Sequence, residues 1–335
     1  MLQVSDEFKQ AMISPVRSFA AQVEVRQNPN NISEITLLTD EDRVKTIEIQ
    51  RVGDNSKFFG YGICQRLNLK LIDLADDLHP IPSTSVMVRI GIKLDSGMIE
   101  YVNWPHFYIT ERNRSEEDGE ISIVAYDKLD EATLHTVTEL EIKPPYTIKE
   151  FAQSCATFLG LGFSVENIPD EDYAFGLLYE EGANFSGTES IRQALNAVAE
   201  ATSTIYFIDN EDRLHFKRLD ISGEPLAIIT DEDYFTLTHS DNRRVTKVMH
   251  ATELGDNVSS ELAITGSTAY VRNNPFWEMR EDIATIVDEA LANVGGLTIN
   301  QFDCSWRGNL PLECGDKIDM QQVCLDGCVE SAFVL

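Results

Sequence analysis

The residues able to do chemistry in this chain fall into four groups: acidic runs, histidines, late cysteines and scattered aromatics. Asp170-Glu171-Asp172, Asp231-Glu232-Asp233 and Asp209-Asn210-Glu211-Asp212 carry oxygens that calcium takes or that an acid–base pair needs. None has the alternating, glycine-containing spacing of a calcium loop, and each falls where a turn is expected, so solvated loop charge is the expectation. His79, His106, His135, His215, His239 and His250 form no HExxH and no i,i+4 pair, and no cysteine stands at ligand spacing from any of them. His215 alternates with Leu214 and Phe216, which predicts the outer face of a strand.

Cys304, Cys314, Cys324 and Cys328 come late. Nine residues separate each of the first two successive pairs, and no histidine follows His250, so structural thiols are expected rather than zinc ligands. Cys64 and Cys155 sit alone in apolar text and read as small buried hydrophobes. Trp104, Trp277 and Trp306 with Tyr101 and Tyr108 could build a sugar-stacking platform, although core or subunit-interface positions are favoured. Gly160-Leu161-Gly162 follows helical text instead of preceding it, the wrong order for a dinucleotide loop, and no Gly-x-Ser-x-Gly elbow occurs. The expectation is a protein without an active site, cofactor or metal.

The elements that would position these residues can be read from periodicity. Residues 5–19 predict a short amphipathic helix broken at Pro15. Period-two alternation follows: Ile47 and Ile49, then Leu67, Leu69 and Leu71, then Val88, Ile90, Ile92 and Leu94. Asp95-Ser96-Gly97 and Asp118-Gly119 mark hairpin turns, so residues 20–130 predict a barrel or sandwich. Beyond Pro144-Pro145, Thr147 to Glu150 is a capping box opening a helix through Phe151, Cys155, Phe158 and Leu159. A second helix after Ser186-Gly187-Thr188 and a hairpin, 204–208 with 213–217, complete a small α+β module. Strand text returns at 234–238 and 244–252. One long helix is predicted from Asn274 as N-cap and Pro275 to Val294, ending at Gly295-Gly296. Alternation then resumes over 297–335, with turns at Gly315-Asp316 and Asp326-Gly327.

Composition narrows the function classes. The 335 residues suggest more than one domain, and 27 Lys plus Arg against 56 Asp plus Glu give a net charge of −29. Such a surface repels phosphate backbones and anionic lipid, which argues against nucleic-acid and membrane partners. No apolar run reaches the ~18–20 residues of a membrane span. The acidic N-terminus lacks the features of a signal peptide, so synthesis in the cytoplasm is expected.

Four stretches carry a family resemblance: RVGDNSKFFGYGICQRLNLKLID (51–73), PPYTIKEFAQSCATFLGL (144–161), 179–219 and NNPFWEMREDIATIVDEALANVGGLTINQFDCSWRGNLPLECGDKI (273–318). They resemble prophage tail-tip proteins (minor structural, tail-associated) of Gram-positive hosts. The resemblance covers about residues 45–320. It implies an α+β, β-rich fold related to baseplate hubs and the heads of type VI secretion spikes, with two β-barrel-like hub domains around a small α+β domain. The expected limits are 1–135, 136–220 and 221–335. Leu310 to Ile318 resembles the family's turn into a late barrel strand. Because the chain stops in strand text at Ala332-Phe333-Val334-Leu335, the last domain is expected to be incomplete.

The implied role is a structural ring at the virion tail tip, a homotrimer that joins tail tube to tip and lets DNA exit. Its implied partners are the distal tail, tail-tube and tape-measure proteins. Host cell-wall carbohydrate binding, or less favourably cell-wall hydrolysis, is the alternative.

Overall fold

The computed structural model describes residues 2–26, 35–54, 57–73, 78–80, 82, 84–115, 119–166, 168, 170–220, 223–230, 233–251, 257–278, 280–296, 298–306, 308–321 and 329–334. The fold is β-rich α+β. It opens with α1 (Asp6–Ile13), where the Ser5 hydroxyl accepts the Phe8 N–H at 3.0 Å and Asp6 and Glu7 sit favourably in the first turn. As expected, the helix ends before Pro15. Phe8 and Met12, four residues apart, bury one face against Ile92, Leu94 and Val102.

Seven strands follow: β1 (Phe19–Arg26), β2 (Ile35–Thr39), β3 (Val44–Val52), β4 (Tyr61–Ile72), β5 (Ser85–Lys93), β6 (Ile99–Arg114) and β7 (Glu120–Tyr126). All pair antiparallel in the order β2-β1-β5-β6-β7-β4-β3, a curled half-barrel. Alternation decides the inner face: Leu67, Leu69 and Leu71 of β4 are buried with Val23, Val25, Val86, Val88, Phe107, Ile121 and Ile123. Register shifts at Met87/Arg89 and Ile109/Glu111 bend β5, β6 and β7 into the curl. The β5–β6 hairpin turns at Gly97, whose φ of +86° suits glycine. The other predicted turn keeps Gly119 at positive φ, while Asp118 lies outside the described residues.

The middle of the chain adds α2 (Lys128–Glu131), β8 (Tyr146–Thr147), α3 (Ile148–Phe158), β9 (Gly162–Glu166), α4 (Glu171–Ala174), β10 (Leu178–Tyr179), α5 (Ile191–Ala201), β11 (Ile205–Ile208) and β12 (Arg213–Lys217). The Thr147–Glu150 capping box forms as read. The second helix starts three residues after Ser186-Gly187-Thr188, on its own box between Ser190 and Gln193. Helix α3 stops at Gly160, where the Leu161 N–H reaches back to the Ala156 carbonyl at 2.8 Å. Phe151, Cys155, Leu195 and Val198 pack the helices onto Tyr206, Leu214 and Phe216. Each large side chain so buried contributes about 1.5–3 kcal/mol before entropy is charged against it. This module is not separated from the half-barrel. Strand β11 pairs in parallel with the start of β4 (Ile205 opposite Tyr61), so one ten-stranded sheet runs through both.

The last third contains β13 (Ala227–Ile229), β14 (Tyr234–Ala251), β15 (Asn257–Glu261), β16 (Ser267–Arg272), α6 (Pro275–Glu278), α7 (Ile283–Val294), β17 (Thr298–Trp306), β18 (Lys317–Gln321) and β19 (Val329–Phe333). The long β14 pairs with β17 along its first half and with β15 and β16 along its second; β13, β18 and β19 form a separate three-stranded sheet. The single long helix expected from Pro275 to Val294 is instead two. Asn274 caps α6 as predicted, accepting the N–H groups of Phe276 and Trp277 at 3.0 and 3.3 Å. The break falls before Asp282, which pairs with Arg280 and starts α7. The cause is packing: Phe276 enters the aromatic cluster of Phe151, Tyr179 and Phe185, while α7 lies on β14 and β15. Among the described residues, no helix is long and apolar enough to cross a membrane. Thr252 and the expected turn at Asp326-Gly327 lie outside the described residues.

Candidate functional site

The densest gathering of ionisable groups lies where the half-barrel, the α+β module and the segment 308–316 meet. Leu214 and Phe216 of β12 face the helices, so His215 and Lys217 point the opposite way. The expectation of an outer face fails here. His215, stacked on Phe207, is 8% exposed and Lys217 only 2%, because the segment 308–316 covers that side of the sheet, with Cys314 on Ile205 and Phe207 and Gly315 against Lys217.

Every charge in this junction is answered. Lys217 Nζ reaches Asp316 Oδ1 at 2.6 Å and Glu166 Oε2 at 3.5 Å. Burial pulls the ammonium down, but the Asp316 charge and hydrogen bond outweigh it and raise its pKa. His215 stacks on Phe207 (5.0 Å between centroids) with its ring nitrogens 3.4 Å from Asp209 and 3.3 Å from Glu166. Those two carboxylates overcome burial and lift the His215 pKa above its ordinary value. The His215 ring, 3.3 Å away, is in turn the main reason that Glu166 falls to about 2.

Asp209 was expected as solvated turn charge; it is a buried anchor. It accepts the backbone N–H groups of Glu211 and Arg213, each at 3.0 Å, and Arg213 Nε at 2.8 Å. Burial acts to raise its pKa, and these bonds win, leaving it lowered. Asp212, with φ of 55°, accepts the His106 N–H at 2.8 Å and lies 2.6 Å from the ring, tying the hairpin to β6. Of the other acidic runs, Asp170 pairs with Arg218 and Glu171 with Lys149. Asp233 caps Thr230, whereas Asp231 and Glu232 lie outside the described residues.

The remaining histidines do not converge. His79 is exposed, and His135 pairs with Glu139 at 2.9 Å. His250 is wholly buried at 5.5 Å from Trp277; neither of its ring nitrogens nor Trp277 Nε1 has a partner. Burial alone lowers its pKa. Cys64 is half-buried and donates to Asp127 at 3.2 Å, and burial raises that carboxyl to about 6. Cys155 and Cys314 are buried; Cys324 and Cys328 lie outside the described residues, as do the side chains of Cys304, His239 and Trp306. Among the described residues, no three His, Cys, Asp or Glu gather as metal ligands. The aromatic platform is not assembled from Trp277, which is 2% exposed, and Arg51 lies over the Trp104 ring at 5.2 Å. Tyr108 carries Lys128 over its ring at 4.2 Å.

The junction around Lys217 and His215 clamps β9, the β11–β12 hairpin and the segment 308–316 together. Sequence reading missed Lys217, Asp316 and Glu166. The available signal was β11, Ile205-Tyr206-Phe207-Ile208, apolar on both faces, which marks a strand covered twice and so a neighbour covered with it.

The fold defines the class. Three solved structures superpose on almost the whole chain. The 43 kDa tail protein of prophage MuSo2 from Shewanella oneidensis matches with a TM-score of 0.58 at 13% identity, covering 95% of this chain and 92% of that one. The tail protein from Neisseria meningitidis MC58 gives 0.53 at 13% identity, covering 94% and 90%. Prophage tail protein gp18 from Listeria monocytogenes EGD-e gives 0.52 at 13% identity, covering 94% and 88%. The chain therefore has the fold of phage and prophage tail proteins. No family model and no curated protein matches its sequence.

Proposed function

We propose that this chain is a non-enzymatic structural subunit of a phage or prophage tail, at the tip of the virion. The observation that carries the proposal is the near end-to-end likeness to three tail proteins. A polar junction whose charges are mutually satisfied supports a scaffolding role. The finer reading is a baseplate-hub ring, a homotrimer in which 1–135 and 221–335 act as barrel-like hub domains and 136–220 as the α+β module between them. It binds the distal tail, tail-tube and tape-measure proteins of a prophage in a Gram-positive host and leaves a passage for DNA. A chain of net charge −29 does not hold passing phosphates, which suits a conduit. Three-fold closure requires a heterologous interface on each subunit. Light scattering coupled to size exclusion tests this reading: a stable trimer, or rings in negative stain, is expected. A strict monomer at high concentration overturns the ring.

A further inference from the structure

We propose that residues 308–316 form a strap that opens as a unit, uncovering the buried sheet face beneath it while the rest of the protein stays folded. The strap begins and ends at glycines of positive φ, Gly308 at 74° and Gly315 at 76°, where the chain can reverse direction. Its C-terminal end is held by the Gly315 N–H, which donates to Val334 O at 2.7 Å, and by Asp316 O, which accepts the Val334 N–H at 2.9 Å, while other bonds reach distant parts of the sequence. The Leu2 N–H donates to Pro311 O at 2.8 Å, Arg17 Nη1 to Gly308 O at 3.1 Å, and Arg51 Nη2 to Leu312 O at 3.2 Å. The Lys217–Asp316 pair closes its far end. Beneath lie Tyr61, Ile63, Ile205 and Phe207, an apolar face that this segment covers through Cys314 and its neighbours.

The closed state carries a built-in cost. Arg51 Nε, Gln65 Oε1 and Trp104 Nε1 border the strap's groove together with Leu312 and Cys314. All three atoms are buried without a hydrogen-bond partner. Opening returns them to water, which offsets part of the penalty for exposing the apolar face. The buried side chains that α3 and α5 themselves contribute are apolar, so parting those two helices frees no such atom of their own. The strap is thus a lower-cost opening than that helix pair.

The buried thiol of Cys314 reports the event, and that of Cys155, inside α3, reports global unfolding. Alkylation of the native full-length chain, followed by peptide mass spectrometry, measures both. Cys314 is expected to react at least ten times faster than Cys155. Lys217→Met removes a contact made only in the closed state, so strap opening and global unfolding become easier by the same amount and both rates are expected to rise at least tenfold. Val198→Ala, in the α3–α5 core, is expected to raise the Cys155 rate at least tenfold and to leave the Cys314 rate unchanged. If Lys217→Met does not fold, Arg17→Met, which removes one strap bond, must raise the Cys314 rate. A single common rate for both thiols, or a Val198→Ala variant that accelerates both equally, overturns the strap. This result is independent of whether the protein assembles as a ring.

Discussion

Two buried imidazoles, about thirty-five positions apart in the chain, meet opposite environments. His215 lies among Asp209, Glu166, Phe207 and Lys217, with a carboxylate near each ring nitrogen. His250 lies in the core of the last third with Trp277 as its neighbour and no hydrogen bond at all. Burial penalises the charged ring in both places; only the carboxylates reverse the outcome. Depth alone therefore does not set the charge state. What decides it is whether the fold brings acids along, and at β12 it brings them from β9, the hairpin turn and the strap.

The comparison can be broken hardest at Lys217. Lys217→Met leaves the buried Asp316 carboxylate without its ammonium partner, which is expected to cost about 3–5 kcal/mol in urea unfolding. The double substitution Lys217→Met with Asp316→Leu should recover most of that loss, because no charge then remains buried. If the single and double variants are equally destabilised, the pair is not the clamp.

The histidines sharpen it next, through pH. The pKa of His215 is raised on folding, so its stabilisation is fully present below the unfolded value of about 6.5 and is lost as pH rises through the folded value. The pKa of His250 is lowered, so the folded state loses stability as pH falls below about 6.5 toward the folded value. Each effect is limited to ~1.4 kcal/mol per pH unit. In urea titrations between pH 5 and 8, His250→Phe should flatten the acid side and His215→Phe the neutral-to-alkaline side. Curves that move in the same direction would refute the contrast.

The smallest effect concerns the entrance to the His250 core. Asn274→Ala removes the α6 cap and is expected to cost about 1 kcal/mol, rising toward 2 because Asn274 also donates to Ala197 O at 2.9 Å. Thermal unfolding followed by circular dichroism measures it. A cost below about 0.3 kcal/mol would show that the cap is redundant.

Local rules made much of this fold legible. The alternation of Leu67, Leu69 and Leu71 named the inner face of the half-barrel, and Thr147 with Glu150 named a helix start. These features depend on neighbours a few residues away. The junction was not legible, because its members come from positions 166, 209, 215, 217 and 316, joined only by tertiary packing. His215 looked solvent-facing for a sound reason: period two assigns a side, but cannot say that a remote segment covers it. The undivided helix failed similarly, since Phe276 and Ile286 are each good helix text and only their separate packing surfaces force the break.

The sharing of β4 between two regions has a mechanical consequence. Its last residues are laced to β3 and β7 and its first residues to β11, within one unbroken strand. A rotation of the module against the half-barrel would have to shear those ladders, since no linker intervenes to absorb it. A pull or twist applied to either part is therefore passed along the backbone as through a stiff spar. That rigidity would serve the structural role proposed above.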